Sequence, residues 1–600
     1  MDRNSAIGLT LIAVLLLLYF NFFAPSPTPV ENKPARVTTT QPAKKDSVVV
    51  RPEANHSDSL MIRQYGNLSS FLQGEETQTK VETKDLVVTL SNRGMIKQIE
   101  LKNFKTYSQR PVYLVSPLTN SFSLIAQNEG KEIDLYRLFY TEQSNKKSND
   151  TTIVSFTAKI SERAFLKHIY TIPPVGYQVG YAIESAGLEG MLTSQNLTFN
   201  WEDRLPLLEK DITDSRNKTT VNHYLVKGEF DGFSEASNDT KTEALAEPVK
   251  WTAIRQKFFI SSIIAQKSFA GGEVGISADL RDSSVVKKAT VKLFIPKADV
   301  LTNQSRFTYY FGPNDYGILG DVTEGFSRNL YLGWPPVIWV NKFIIIPIFN
   351  FLQRFIGNYG IIIVILVLFI KLLLTPLSYS SYMGMAKMKL LKPELDAIKE
   401  KNGDNASQTQ QDQLKLYQQA GVNPFSGCIP LLLQMPILFA MFYFFPVSIQ
   451  LRQKQFLWAE DLSTYDSILD LPFKIPFYGD HVSLFVLLMT ASTLVYTWQN
   501  NQISSVQGPM KSMSYIMPVI FMFVLNNFSA GLSFYYFVSN LVTFAQQAII
   551  RRFVDETKII KIMSENKLKA STGTGKKSSF MSKLEQAMKA GAEARKKPKG

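Results

Sequence analysis

Six hundred residues exceed one compact domain, and a single cysteine, Cys428, excludes an intrachain disulfide and a cysteine zinc cluster. Four histidines, His56, His168, His223 and His481, are scattered without metal-ligand spacing. The net charge of +14 is uneven: residues 551–600 carry fourteen Lys/Arg against five Asp/Glu, so much of the basic excess belongs to the chain's end rather than to a folded nucleic-acid-binding face.

In chain order, Asp2 and Arg3 precede an apolar run from Ala6 to Phe23, about the minimum for a membrane span. No small-residue cleavage site follows it, so residues 1–24 are expected to be an uncleaved signal anchor. Residues 25–80 are rich in Pro, Thr, Ser, Asn and Lys, a composition that buries too little surface to offset chain entropy, and read as a flexible linker. From Val81 to about Pro313 the period becomes two, within a domain expected over 81–330. The runs 85–90, 95–101, 152–157, 177–183, 258–264 and 289–295 are β-branched and aromatic, bounded by turns such as Asn92-Arg-Gly94 and Gly271-Gly272. Many strands without helical repeats predict an all-β antiparallel sandwich outside the membrane. Its carboxylates read mostly as solvated sheet edges.

Residues 334–355, WPPVIWVNKFIIIPIFNFLQRF, combine aromatic residues, flanking charges and Pro347, and read as an amphipathic helix lying in the membrane interface. The next stretch, 357–381, contains Lys371. Ile361 to Ile370 is ten apolar residues, roughly 15 Å of helix, too short for a hydrocarbon core of about 30 Å. A crossing must therefore carry the lysine inward, where it costs roughly 2.5–3.5 kcal/mol on insertion scales. Thr375 and Ser378 follow at helical spacing on the same stripe, which points to a wet cavity; a lysine snorkelling to an interface is the plainer alternative.

Residues 382–422 show two short helical periods around Lys401-Asn-Gly-Asp404, a helical hairpin. Further spans are expected at 429–449, 482–499, 513–528 and 532–550, giving six with the anchor and the Lys371 span. Lys/Arg counts of six in 381–426 and three in 451–481, with the basic tail 551–600, place hairpin, tail and both termini in the cytoplasm and the sandwich outside. The methionines of the third and fifth spans suit contact with varied apolar partners, although they would look the same as core filler. The sixth span carries Ser533, Tyr535, Tyr536, Ser539, Asn540, Thr543, Gln546 and Gln547, too many polar groups to face lipid. Gly573-Thr-Gly-Lys-Lys577 lacks the remaining features of a phosphate loop.

The segments 423–436 (NPFSGCIPLLLQMP), 380–389 (SSYMGMAKMK), 517–520 (MPVI) and 529–541 (SAGLSFYYFVSNL) resemble the YidC/Oxa/Alb family of membrane protein insertases, over about 330–552. Residues 251–259 and 309–313 resemble, more loosely, that family's large periplasmic domain. The resemblance implies a five-span core, a periplasmic β-supersandwich and a cytoplasm-open hydrophilic groove, with no catalytic residue, metal or cofactor. Lys371 corresponds to the groove's central positive residue, usually arginine in the family; charge is kept while the bidentate fork is lost. The groove's polar lining then falls to Thr375, Ser378, Gln434, Tyr535 and Tyr536, and its apolar slide for substrate to Met435, Leu438, Met441, Met517 and Met522. The implied function is insertion and folding of nascent inner-membrane proteins, with or without the Sec translocon. The implied partners are nascent chains, the Sec translocon, membrane lipids and, through the basic tail, the ribosome, but not DNA. The competing expectation is an anchored envelope protein that binds or processes glycans through its β-sandwich.

Overall fold

A computed structural model describes residues 63–572 except 129, 147–148, 404, 424–428 and 504–508. The expected anchor 1–24, most of the expected linker and residues 573–600 lie outside the described residues. The chain divides into two compact units, Met1–Leu330 and Tyr331–Gly600.

In the first unit, each of the six runs with a period of two lies largely within a strand. Nine antiparallel strands form one sheet in the spatial order Phe230–Gly232, Thr220–Leu225, Val249–Arg255, Phe259–Phe269, Ser305–Pro313, Gln178–Ala186, Phe165–Ile172, Thr152–Lys159 and Thr141–Lys146. A six-stranded sheet has Val285–Pro296 and Asn196–Pro206 at its centre, in register from Asn196 opposite Pro296 to Asp203 opposite Ala289. Alternate residues of Asn196–Pro206 turn inward, and Phe199 and Trp201 meet Tyr309 and Phe311 of the larger sheet at 6.5 and 6.2 Å between ring centroids. The two sheets therefore share one aromatic core. A third sheet orders Gln78–Glu82, Leu86–Ser91, Met95–Lys105 and Pro111–Val115. Within the expected linker, Gly66–Phe71 forms a 3₁₀ turn that buries Leu68, and Tyr65 beside it is buried too. These two apolar side chains, sparse in a polar stretch, order residues that composition alone assigns to the linker. Gly94 turns at φ +73°, where a Cβ would lie 2.5 Å from the His168 ring.

Burial also traps polar groups. His168 bonds Tyr181 (2.8 Å) and Tyr140 (3.1 Å), and desolvation lowers its pKa to about 3. Asp203, beside Asn120, has neither carboxylate oxygen in a hydrogen bond of ordinary geometry among the described residues, and burial pushes its pKa up to about 8. Asp214 pairs with buried Lys257 at 2.6 Å, and Glu235 grips buried Arg255. These carboxylates are not solvated sheet edges.

The second unit is helical, with α1 Pro335–Leu352, α2 Tyr359–Leu373, α3 Thr375–Leu390, α4 Lys392–Asn402, α5 Ala406–Ala420, α6 Ile429–Phe444, α7 Leu484–Ile503, α8 Pro509–Leu525, α9 Ala530–Phe553 and α10 Glu556–Ser571. Within the interfacial helix expected at 334–355, α1 is continuous and, by length and composition, also sufficient to cross a membrane. A π turn over Asn341–Ile345 carries the chain into Pro347, placing the proline where its missing N–H is tolerated. Val337, Asn341, Ile345 and Phe349, four residues apart, face inward, while Trp339, Phe343 and Phe351 are exposed.

The expected span 357–381 is two helices bent by 62° at Leu374, because Pro376 at the start of α3 cannot continue the α2 ladder. Among the described residues only α1, and the α2–α3 pair if counted as one, are long and apolar enough to cross a membrane. The helices α6 and α8 have 16 and 17 residues, and α7 and α9 are diluted by polar side chains. The helical hairpin is present as α4 and α5. The tail, however, does not begin at residue 551. Ile559 and Met563 of α10 enter a core with Leu391, Leu395, Leu416, Tyr417, Ala420 and Val422, and Lys567 pairs with Glu394 at 2.5 Å. The charges of this segment obscured an apolar pair at i, i+4 spacing that docks it on the hairpin.

Candidate functional site

Asn358 caps α2 by accepting from the Ile361 amide at 3.2 Å. Gly360 lies so close to Phe456 that a Cβ would fall 2.1 Å from the ring. From there Ile362, Ile363, Leu366, Val367 and Ile370 form the buried stripe, and Lys371 is its last member, 8% exposed; Leu368, Phe369 and Leu372 are exposed on the other side. Lys371 thus points into the helical unit, which argues against the snorkelling alternative.

Its Nζ donates to Gln434 Oε1 of α6 at 3.5 Å, and among the described residues no carboxylate is within ion-pair distance. The bend builds the rest of the site. Thr375 Oγ1 donates to the Lys371 carbonyl at 2.9 Å, and Gln546 Nε2 of α9 donates to that carbonyl at 3.3 Å and to Thr375 Oγ1 at 2.9 Å. Four helices therefore meet at Lys371: Gln434 of α6 touches the ammonium, while Thr375 of α3 and Gln546 of α9 hold the backbone carbonyl of the same residue on α2. Such a group attracts negative charge and offers dipoles to a polar chain, but holds no nucleophile–base pair. Among the described residues no group of three or more His, Cys, Asp or Glu has metal-binding geometry.

Of the sequence-predicted lining, Gln434 meets the Lys371 ammonium, Thr375 meets the Lys371 backbone carbonyl, and Ser378 is half-buried one turn along α3. Tyr535 is instead buried beside Phe445 at the far end of α6 (5.9 Å) and packs on half-buried Tyr536 (5.7 Å). Tyr535 precedes Gln546 by eleven residues of α9, roughly 16 Å of helix. Much of the polar inventory of α9 is spent on helix contacts: Asn540 donates to Ser492 and Thr493 of α7 at 2.9 and 3.0 Å. Met435, Leu438, Met517 and Met522 are partly exposed, whereas Met441 is fully buried and presents no surface to a passing chain. Gln546, which the sequence did not single out as a site residue, completes the neighbourhood. The polarity of Gln546 in an apolar segment was the available signal.

Comparison with known proteins gives the family of the chain. The sequence model of the YidC periplasmic domain matches residues 78–350, and that of the 60Kd inner membrane protein family matches residues 351–557. A membrane protein insertase YidC of Amoebophilus asiaticus is 43% identical over 99% of this chain and 99% of its own length. One from Cytophaga hutchinsonii is 44% identical over 98% of each. The chain belongs to the YidC family of membrane protein insertases. As in other YidC insertases, the antiparallel β unit is a periplasmic domain and the helical unit a membrane core, and the protein is not an enzyme. Both halves match one family, so the β unit is not the working part of an anchored glycan-active protein.

Proposed function

We propose that the site around Lys371 is the hydrated, cytoplasm-open groove through which this insertase brings the polar tails of nascent inner-membrane proteins partway across the bilayer. The observation that carries the reading is a buried cation lacking a carboxylate partner among the described residues, bonded to Gln434 alone through its ammonium and held at its backbone carbonyl by Thr375 and Gln546. A permanent counter-ion would cancel its field; without one it attracts a substrate's acidic groups. The partly exposed Met435 and Leu438 of α6 and Met517 and Met522 of α8 then guide the substrate's apolar segment into lipid, and burial of that segment drives the step. The short α8 thins the bilayer locally and lowers the barrier.

In this reading residues 1–24, 357–381, 429–449, 482–499, 513–528 and 532–550 form six spans. Both termini and the hairpin are cytoplasmic. The Sec translocon is a partner on some routes, and basic residues beyond α10 meet the ribosome electrostatically. Photo-crosslinkers placed at Met435, Leu438, Met517 and Met522 are expected to capture ribosome-bound nascent membrane proteins. Met441, being buried, is expected to capture them weakly. Uniform failure at the four exposed positions, in a variant that still supports insertion, would remove the slide from the scheme.

A further inference from the structure

Between α6 and α7 the chain forms a small antiparallel hairpin, Leu469–Ile475 with Gly479–Val482. Its turn and second strand are pinned at the level of the helix ends, Tyr478 being buried against Phe523 of α8 at 5.4 Å between ring centroids. Val482 is separated from α7 by Ser483 alone, and Asn526, just past α8, donates to the Tyr478 and His481 carbonyls at 2.9 and 2.8 Å. Its blade is apolar and open: Ile468, Leu469, Phe473 and Phe477 are 50, 57, 62 and 72% exposed.

The turn carries a second observation. Tyr478 N bonds Ile475 O at 3.2 Å across Pro476-Phe477, with Phe477 at φ +67°. That position favours glycine or asparagine, and a bulky aromatic there costs backbone energy.

Backbone and side chains make opposite demands. A two-stranded ribbon with free edges cannot enter hydrocarbon, where unsatisfied N–H and C=O groups are prohibitive. Exposed Phe, Leu and Ile side chains on a ribbon are disfavoured in bulk water. The headgroup layer meets both demands, hydrating the edges while accepting the rings, with Lys474 and Asp470 available to the polar side.

Accepting the reading of α6 and α7 as spans, we propose that the 468–482 hairpin lies in the lipid headgroup layer of the leaflet facing the periplasm. It is a lipid contact distinct from the Lys371 groove. The test uses the full-length chain with Cys428→Ser, reconstituted in nanodiscs of phosphatidylethanolamine and phosphatidylglycerol. Single spin labels are placed at Phe473→Cys and, independently, Leu469→Cys. Val495→Cys on exposed α7 surface (46%) is the lipid reference, and Arg281→Cys in the β unit (side chain 93% exposed) is the aqueous one. Collision with lipid-soluble oxygen relative to a water-soluble nickel chelate is expected to be several-fold higher at 473 and 469 than at 281, and below that at 495. Values equal to those at 281 would place the hairpin in water and overturn the proposal. Low collision with both reagents would mean that protein covers the hairpin, which overturns it equally. Aqueous behaviour at 495 would instead refute the span reading, and the hairpin proposal would fall with it.

Discussion

Reversing the charge at residue 371 isolates the field from the fold. Lys371 Nζ has one long hydrogen bond, to Gln434, and no carboxylate partner among the described residues, so its attraction is available to a passing acidic group. At about 6 Å and an effective dielectric constant near 20, that attraction is roughly 3 kcal/mol. With about 1.4 kcal/mol per decade, Lys371→Ala is expected to slow insertion of a substrate with an acidic tail by about 10- to 100-fold. The same substrate with a neutral tail should change little. Lys371→Glu turns attraction into repulsion and should be the worst variant, while Lys371→Arg, which keeps the charge, should retain function because a diffuse field needs no fork geometry. The assay is proteoliposome insertion of paired substrates differing only in tail charge, with thermal unfolding of each variant measured in parallel. Removing a buried cation leaves no carboxylate stranded, so Lys371→Ala should fold at least as stably as the parent. Equal insertion across Lys, Arg, Ala and Glu, for both tails, would refute the reasoning and leave Lys371 a tolerated membrane lysine.

Other expectations follow from particular contacts. Asp203 has a native pKa of about 8 against an ordinary 3.8, so its contribution to stability is full below about pH 4 and is lost as pH rises through 8; His168, held near 3, acts oppositely, lowering stability as pH falls through 6.5. Comparing Asp203→Asn with the parent cancels the histidine: denaturation of the β unit should show the variant gaining roughly 2–3 kcal/mol on the parent between pH 5 and pH 7, and a constant difference would contradict the assignment. Gln546→Leu and Thr375→Val should each lower stability by about 1 kcal/mol and be coupled in a double-mutant cycle, since they share one hydrogen bond; strict additivity would separate them. Ile559→Ala should cost about 2–4 kcal/mol of docking and speed hydrogen exchange through Glu556–Ser571 by more than about tenfold, and unchanged exchange would show that α10 does not rely on that core.

Local regularity, where it governs structure, is readable in one dimension. The strands were legible because alternation places every second side chain on one face, and the anomaly at Lys371 was legible because ten apolar residues cannot span a bilayer alone. The end of α4 at Gly403 announced itself by composition. Other features depended on partners distant in sequence. Gln546 reaches Thr375 across 171 residues, and nothing in the local pattern of α9 separates it from Asn540, which turns to α7, or Tyr535, which packs on Phe445. Met435 and Met441 are alike in sequence, yet only tertiary packing leaves one partly exposed and buries the other. Ile559 and Met563 became core residues because the hairpin supplied a complementary apolar face. Asp203 became buried because two sheets closed over its side of the strand. Sequence period and composition determined which elements form; tertiary packing decided which polar groups meet, because hydrogen bonds and burial depend on distances that the order of residues does not specify.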